Sequence, residues 1–109
     1  MRPRACDPGS VARRLDLDEV ARQLGDLPGW SGDVDVLRRS YTLPDFPTAI
    51  RVVDEVAVVA EEMNHHPDID VRWRRLDLAL TTHDAGGVTQ LDVELAHRIH
   101  AIATAQGGA

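Results

Sequence analysis

The sequence has no lysine, a single cysteine and no apolar run close to the roughly 20 residues that a membrane-spanning helix needs. A lone cysteine cannot form an internal disulfide, so nothing points to an oxidising compartment, and we predict a cytoplasmic protein without membrane association. All 12 basic side chains are arginine, and the formal net charge is −6. Such an acidic chain lacks the basic face of a general nucleic-acid binder, which leaves protein partners and small ligands as candidates.

The length of 109 residues, with 43% hydrophobic residues, suits one domain with one modest core. The first 14 residues, "MRPRACDPGSVARR", contain four arginines and one acid, and they lack the apolar segment of a secretory signal. This composition predicts a disordered tail over residues 1–14. We therefore predict a single globular domain over residues 15–106.

Hydrophobic spacing predicts the element order helix, two strands, helix, two strands, helix. In the first helix, Asp16 is the expected N-cap, Glu19 completes a capping box and Gly25 ends the helix. Trp30 opens a strand, "SGD" forms a turn, and "VDVLRRSYTL" is a second strand. The expected core side chains of these elements are Leu17, Val20, Ala21, Leu24, Leu37, Tyr41 and Leu43.

The longest predicted helix begins at Asp45, a good N-cap. It must end near His65 or His66, because Pro67 cannot extend the helical hydrogen bonds. Its predicted core stripe consists of Phe46, Ile50, Val53, Ala57, Ala60 and Met63 or Asn64. The apolar surface is widened by Val52, Val56 and Val59. Two apolar sides are typical of a homo-oligomer interface, although a deeply buried helix of a single chain gives the same pattern.

The segment "DIDVRWRRLDLALTTH" alternates between apolar and polar positions, as strands do. We expect a hairpin that turns near Arg74, with one long bent strand as the alternative. The last helix, in "VTQLDVELAHRIHAIATA", begins at Thr89, and Asp92 closes a capping box. Its expected buried stripe is Leu91, Leu95, Ile99 and Ile102. Two hairpins predict an α+β fold, in which a four-stranded antiparallel sheet carries three helices on one face.

Three of the five histidines, His65, His66 and His83, stand where predicted elements end. Side chains at such ends can converge on a ligand without disturbing the core. Imidazole titrates near pH 6.5, so a group of histidines can supply both an acid and a base at neutral pH. The alternative for each histidine is a surface or capping position, and a capping box alone would explain Asp92.

A metal site is the rival interpretation of the histidines. Neighbouring side chains diverge in an extended chain, so His65 and His66 form a poor chelate for one ion. No cysteine is near them, and neither the HExxH motif nor zinc-finger spacing occurs. We therefore predict no metal, and we expect His97 and His100 to lie on a solvated flank of the last helix.

The segments "EEMNHHPDIDVRW" and "LTTHDAGGVTQLD" together resemble the signature of the pterin-4a-carbinolamine dehydratase family. That signature runs from an acid through His-His-Pro to an aromatic residue, then through Thr-His and a Gly-rich loop to an aspartate. It is carried here by Glu61, His65, His66, Pro67, Trp73, Thr82, His83, Gly86, Gly87 and Asp92. The resemblance covers residues 17–105, and Trp73 stands where the family often has tyrosine.

The resemblance implies the same α+β fold and a homodimer or homotetramer assembled through the long middle helix and a sheet edge. It also implies a pterin substrate and no cofactor. The implied dehydratase removes water from 4a-hydroxytetrahydropterin and gives quinonoid dihydropterin, as part of tetrahydrobiopterin recycling. The same scaffold serves in some relatives as a non-enzymatic binding module, either a transcription-factor dimerisation partner or an assembly factor for a carbon-fixing enzyme.

By the same resemblance, His65 and His83 are the acids, His66 holds the substrate and acts as the base, and Asp92 orients His83. Glu61 would orient the His65 and His66 pair. The remaining supporting positions are Pro67, Trp73, Thr82, Gly86 and Gly87. Trp73 and the glycine loop would shape the pocket, and the four catalytic positions together favour an enzyme over a purely structural relative.

Overall fold

The computed structural model describes residues 13–109, so most of the predicted tail lies outside the described residues. The elements in chain order are α1 (Leu17–Leu24), β1 (Ser31–Gly32), β2 (Leu37–Thr42), α2 (Phe46–Met63), β3 (Asp68–Arg72), β4 (Arg75–Leu80), a 3₁₀ turn (His83–Ala85) and α3 (Gln90–Ala105). This order confirms the predicted α+β fold. Over residues 13–109, no helix is long and apolar enough to cross a membrane.

The four strands form one antiparallel sheet in the order β1-β2-β4-β3. Leu37 pairs with Leu80 and Tyr41 with Leu76, so these side chains share one face of the sheet. That face belongs to a buried core together with side chains of all three helices. On β2 the alternate positions Arg38 and Ser40 are exposed. The helices therefore cover one face of the sheet, and the other face stays open.

The β3–β4 connection is the expected hairpin and not one long bent strand. Arg72 pairs with Arg75, which leaves residues 73–74 as a two-residue turn. Trp73 has the left-handed backbone angle φ of 59° in this turn. Its side chain is 72% exposed. Trp73 therefore neither continues the alternation of β3 nor joins the core.

β1 is shorter than expected and begins after Trp30. The N–H of Trp30 donates to the Leu27 carbonyl at 3.1 Å instead of joining a strand. Its indole Nε1 donates to the Tyr41 hydroxyl at 2.9 Å inside the core. Ser31 and Gly32 form the two-residue strand, so the predicted turn at "SGD" was wrong for its first two residues. Trp30 anchors the chain before the sheet begins.

The predicted core stripe of α2 was wrong at Phe46, Ile50 and Ala57. It was correct at Ala60, which is buried, and at Val53 and Met63, which pack against the core. The helix buries Thr48, Ala49, Val52, Val56 and Ala60. Phe46 is 46% exposed and Ile50 is 36% exposed, and Ala57 is also exposed. Both sides of the helix repeat apolar residues at helical spacing, so the spacing alone cannot decide which side faces the sheet. The valines interpreted as a second surface form the core contact instead.

The two other helices begin with the capping boxes expected from the sequence. Glu19 N–H donates to Asp16 Oδ1 at 2.8 Å, while Thr89 and Asp92 form the box of α3. The predicted stripes need correction, because Leu17 is 63% exposed and α3 buries Val93 and several alanines beside the expected leucine and isoleucine. Leu91 and Ile102 are only half-buried.

Ordered contacts reach beyond both ends of the predicted domain. Arg14, which falls in the predicted tail, forms an isolated β-bridge with Thr89. At the other end, the Ala109 N–H donates to the Thr42 carbonyl at 3.1 Å, and Thr42 returns the bond at 3.0 Å. The first of these contacts places the segment before α1 against the start of α3.

Candidate active site

Three histidines meet at one end of the sheet, around a depression of about 230 Å³. The depression is lined by Asn64, His65, His66, Thr81, Thr82, His83 and Asp84. One group of these residues follows the end of α2, and the other follows the end of β4. The antiparallel pairing of β3 with β4 places the start of β3 beside the end of β4, because Asp68 pairs with Ala79. The two groups of residues are therefore neighbours.

Asn64 gives the chain the turn that places the two adjacent histidines. Its backbone adopts the left-handed angles φ 49° and ψ 44°, and its N–H still donates to helix carbonyls. Asparagine tolerates this conformation better than most residues because its short polar side chain can bond locally. The N–H of His65 then closes back onto the Ala60 carbonyl at 3.0 Å. The helix thus ends at Met63, just before the predicted limit.

His65 is buried and held by Asp92. Its Nε2 lies 2.5 Å from Asp92 Oδ1, and the His65 residue is 8% exposed while Asp92 is 0% exposed. The sequence had assigned Asp92 to His83, but its carboxylate contacts His65 instead. This difference arises because α3 begins behind the end of α2, a long-range placement that strand and helix patterns do not contain.

The second oxygen of Asp92 is also fully engaged. Asp92 Oδ2 accepts a hydrogen bond from the Thr82 hydroxyl at 2.7 Å and one from the Thr89 N–H at 2.9 Å. A buried carboxylate needs such donors, because burial without them would cost several kcal/mol. Asp92 therefore serves the helix cap and the histidine at the same time.

His66 and His83 are exposed members of the site. His66 Nε2 is hydrogen-bonded to Glu61 Oε2, and both side chains are more than half exposed, at 56% and 76%. His83 begins the 3₁₀ turn after β4. Within residues 13–109, the structure shows no hydrogen bond to the His83 ring. His83 thus presents a ring with unoccupied nitrogens to the depression.

The glycine loop folds the chain back behind His83. Gly86 has the left-handed φ of 75°, which glycine adopts without strain. A Cβ on Gly87 would stand only 2.4 Å from the Val34 carbonyl oxygen, so only glycine fits there. Thr82 N–H donates to the Gly87 carbonyl at 3.0 Å and closes the loop. The two glycines thus hold the chain next to Thr82 but do not line the depression.

Two predicted site residues lie elsewhere. Trp73 is at the far end of β3, five residues and about 16 Å of strand from Asp68, so it forms no wall of this depression. Pro67 is half-buried and precedes β3. Sequence reasoning missed three residues that line the depression, Asn64, Thr81 and Asp84, and also Thr89, which is bonded to Asp92. Thr89 could have been found, because its capping partner Asp92 was already a candidate.

A larger depression of about 680 Å³ lies on the open face of the sheet. Its lining residues are Gly29, Ser31, Arg38, Arg39, Ser40, Arg75, Asp77 and Leu78. None of the described residues that line it is a histidine. The smaller depression is therefore the candidate for proton-transfer chemistry, since imidazole is the side chain that exchanges protons near neutral pH. Among residues 13–109, no group of three or more His, Cys, Asp or Glu side chains is placed to hold a metal ion.

The family model described as pterin 4 alpha carbinolamine dehydratase matches residues 13–102. The chain belongs to this family. The resemblance seen in the sequence is thereby confirmed, and the match includes every histidine of the depression as well as Asp92.

Known family members resemble this chain over nearly their full length. A protein of Roseiflexus sp. is 51% identical over 92 residues, which cover 84% of this chain and 99% of the relative. A protein of Mycolicibacterium smegmatis is 49% identical over 88 residues, covering 81% and 94%. Both carry the provisional name pterin-4-alpha-carbinolamine dehydratase.

A solved structure shares both the family and the fold. The crystal structure of a protein described as transcriptional coactivator/pterin dehydratase from Brucella melitensis matches with a TM-score of 0.80 and 35% identity. The match covers 83% of this chain and 98% of the other. As a pterin-4a-carbinolamine dehydratase family member, this chain thus has a domain of the usual extent for these relatives.

Proposed function

We propose that the protein dehydrates a 4a-hydroxytetrahydropterin to the quinonoid dihydropterin, with His65, His66 and His83 as acid and base groups. The observation that carries this proposal is that all three imidazoles line one depression. His65 and His66 follow α2, whereas His83 follows β4. Family membership supports the reaction class. The cytoplasm is the proposed place of action, where the pterin would be recycled.

The reaction needs only proton transfers. The lone pair of N5 forms a C–N double bond to C4a as the C4a–O bond breaks, so the substrate itself expels the hydroxyl group. An acid must protonate the departing oxygen, which leaves as water, and a base must take the proton from N5. Because N5 supplies the electron pair, the step does not require a Lewis acid.

The three rings differ in ways that suit these tasks. His65 uses Nε2 for Asp92, which leaves Nδ1 as its nitrogen for the substrate. With a proton on both nitrogens, its ring would be an acid whose charge faces the Asp92 carboxylate. We propose His83, whose ring is not hydrogen-bonded within the described chain, as a second acid. His66, oriented by Glu61, would hold the substrate and accept the N5 proton.

The decisive experiment is a dehydration assay on freshly generated 4a-hydroxytetrahydropterin with His65→Gln, His66→Gln and His83→Gln. We expect each variant to lose about 10²–10⁴-fold in rate, the usual contribution of a general acid or base. His97→Gln is the matched control, because His97 is an exposed histidine of α3 outside the depression. A wild-type protein without activity, or full activity in both His65→Gln and His83→Gln, would contradict the proposal.

We further propose that the exposed side of α2 forms a homodimer or homotetramer contact. Phe46 and Ile50 are large apolar side chains that remain 46% and 36% exposed, and Ala57 continues their side of the helix. β3 is one of the two outer strands of the sheet and offers unpaired backbone groups as a second contact. This assignment replaces the buried valines, which the sequence had suggested for the interface.

Analytical ultracentrifugation can test this contact. Ile50→Glu places a charge on the exposed side of α2 and should shift the protein to a smaller species. Asp54→Glu, a conservative change at an exposed position of the same helix, should leave the mass unchanged. A wild-type protein that sediments as a monomer at micromolar concentration would refute the proposed contact.

A non-enzymatic binding role is the second candidate. It is favoured by the name of the Brucella melitensis protein, which includes a transcriptional coactivator function, and by the exposed apolar side of α2. The histidine variants distinguish the two roles. Replacing the three imidazoles should abolish a dehydratase activity, but it should not impair the function of a binding module. Retained partner binding by His83→Gln alongside an inactive wild type would favour this second candidate.

A further inference from the structure

Two threonines lie directly behind the His65–Asp92 pair and are both buried. The hydroxyl oxygens of Thr82 and Thr89 are 2.8 Å apart. Thr82 comes from the end of β4, and Thr89 is the N-cap of α3. Their hydroxyls form a polar cluster that joins the strand, the helix start and the carboxylate of Asp92.

The direction of each hydrogen bond in this cluster follows from chemistry. An ionised carboxylate only accepts, so the Thr82 hydroxyl proton points to Asp92 Oδ2. The Thr82 oxygen then accepts the hydroxyl proton of Thr89. The Thr89 oxygen in turn accepts the Leu91 N–H at 3.2 Å. With its other oxygen filled in this way, Asp92 presents Oδ1 to an N–H of His65.

We propose that Thr82 and Thr89 are positioning residues for His65, acting through Asp92. Their hydroxyl chain holds the plane of the Asp92 carboxylate, and the carboxylate keeps the His65 proton on Nε2. With Nε2 held in this way, Nδ1 of His65 faces the substrate and carries the second proton when the ring acts as an acid. The inference rests on the proposed function, because it assigns the two threonines a part in the same reaction.

The first helix shows that the cluster exceeds ordinary helix capping. In α1 the capping acid Glu19 is bonded to the Asp16 N–H at 2.9 Å and to the exposed Arg13 guanidinium. No histidine contacts that box in the described residues. In α3 the corresponding acid, Asp92, is fully buried and bonded to His65 instead. The same local motif is thus built into the site in one helix and not in the other.

The test compares Thr82→Val, which removes the hydroxyl at nearly constant volume, with Thr82→Ser, which keeps it. Thr89→Val and Thr89→Ser form a second pair, and Asp16→Ala removes the cap of α1 as a control. The ¹⁵N signals of the His65 ring report its tautomer, and kcat and KM are measured on 4a-hydroxytetrahydropterin. If Thr89→Val does not fold, the Thr82 pair alone decides.

We expect the wild-type ring of His65 to show a pyrrole-like Nε2 and a pyridine-like Nδ1 at high pH. In Thr82→Val this pattern should become a mixture of tautomers, and kcat should fall about 10- to 100-fold with KM little changed, as for loss of a hydrogen bond to a charged group. Thr82→Ser should restore both values. Asp16→Ala should lower thermal stability without altering the ring signals.

An unchanged tautomer and an unchanged kcat in Thr82→Val would overturn the inference, as would the same spectral change in Asp16→Ala. A wild type without dehydratase activity, whose His65 ring still loses its single tautomer in Thr82→Val, would separate the two proposals. It would reject the proposed reaction and keep the positioning of His65 by the threonines.

Discussion

Replacing Asp92 by asparagine should test the site at its buried centre. The asparagine side chain would fill the same volume, and its carbonyl oxygen could still accept the bonds from Thr82 and Thr89. Its amide group would then face His65 Nε2 as a donor, at a position where the native oxygen lies 2.5 Å from that nitrogen. His65 would have to accept there and move its proton to Nδ1, the nitrogen assigned to the substrate.

The expected loss in kcat for Asp92→Asn is about 10²–10⁴-fold, because a wrong tautomer removes the acid–base contribution of the ring. Stability should fall by about 1–3 kcal/mol, since a charged hydrogen bond is lost but the site stays filled. The free energy of unfolding of a domain of this size is about 5–15 kcal/mol, so the variant should remain folded at 25 °C.

The assay is therefore steady-state dehydration at 25 °C, together with a thermal unfolding curve. Asp26→Asn is the matched control, because Asp26 is an exposed aspartate that follows α1 and does not line the depression. Asp92→Asn with a kcat within threefold of wild type, in a protein of normal stability, would show that Asp92 does not set the tautomer of His65.

Two further predictions concern stability. Val52→Ala removes two methyl groups from a fully buried position of α2 and should lower the free energy of unfolding, measured in urea, by about 2 kcal/mol. Val58→Ala, at a 59% exposed position, should change it by less than about 0.5 kcal/mol. Equal effects would contradict the orientation of α2. Burial, with nearby positive charge, lowers the pKa of His100 below 6.5. At low pH the unfolded chain therefore binds a proton at His100 more readily than the folded chain does. His100 should not reduce thermal stability above pH 6.5, and its effect should lower thermal stability as the pH drops below 6.5. His100→Gln should reduce this pH dependence, and an unchanged slope would refute the assignment to His100.

The environment of His100 also shows where spacing along a helix misleads. The sequence placed His97 and His100 together on a solvated flank, and His97 is indeed exposed. His100 is half-buried, and its Nδ1 lies 2.7 Å from the Tyr41 hydroxyl. The partner comes from β2, 59 residues earlier in the chain. A polar residue at the edge of a helix face is assigned to core or solvent only by what packs against it.

Local signals in the sequence were sufficient for the architecture. Capping boxes at Asp16 and Thr89, the N-cap at Asp45 and the leucine alternation of β4 depend on neighbouring residues, and each is found as expected. The orientation of α2 was not predictable in this way. Its two apolar sides have the same period, and the choice between them depends on the sheet, which is made by distant segments.

The candidate site was likewise predictable where it depends on local sequence and unpredictable where it depends on long-range packing. The convergence of His65, His66 and His83 could be expected from their positions at element ends and from the family signature. The pairing of Asp92 with His65 could not, because it depends on how α3 lies against the end of α2. Trp73 was misplaced for a related reason. The alternation of β3 predicted an inward side chain, but a left-handed turn residue leaves the strand.

The central claim is that the three imidazoles act on one heterocycle. It is tested most directly by titrating the ¹⁵N-labelled protein with a stable 7,8-dihydropterin and following the ring signals of all five histidines. The account predicts that His65, His66 and His83 shift together along one saturable curve, while His97 does not move. Shifts at only one of the three rings, or no saturation at millimolar pterin, would contradict it.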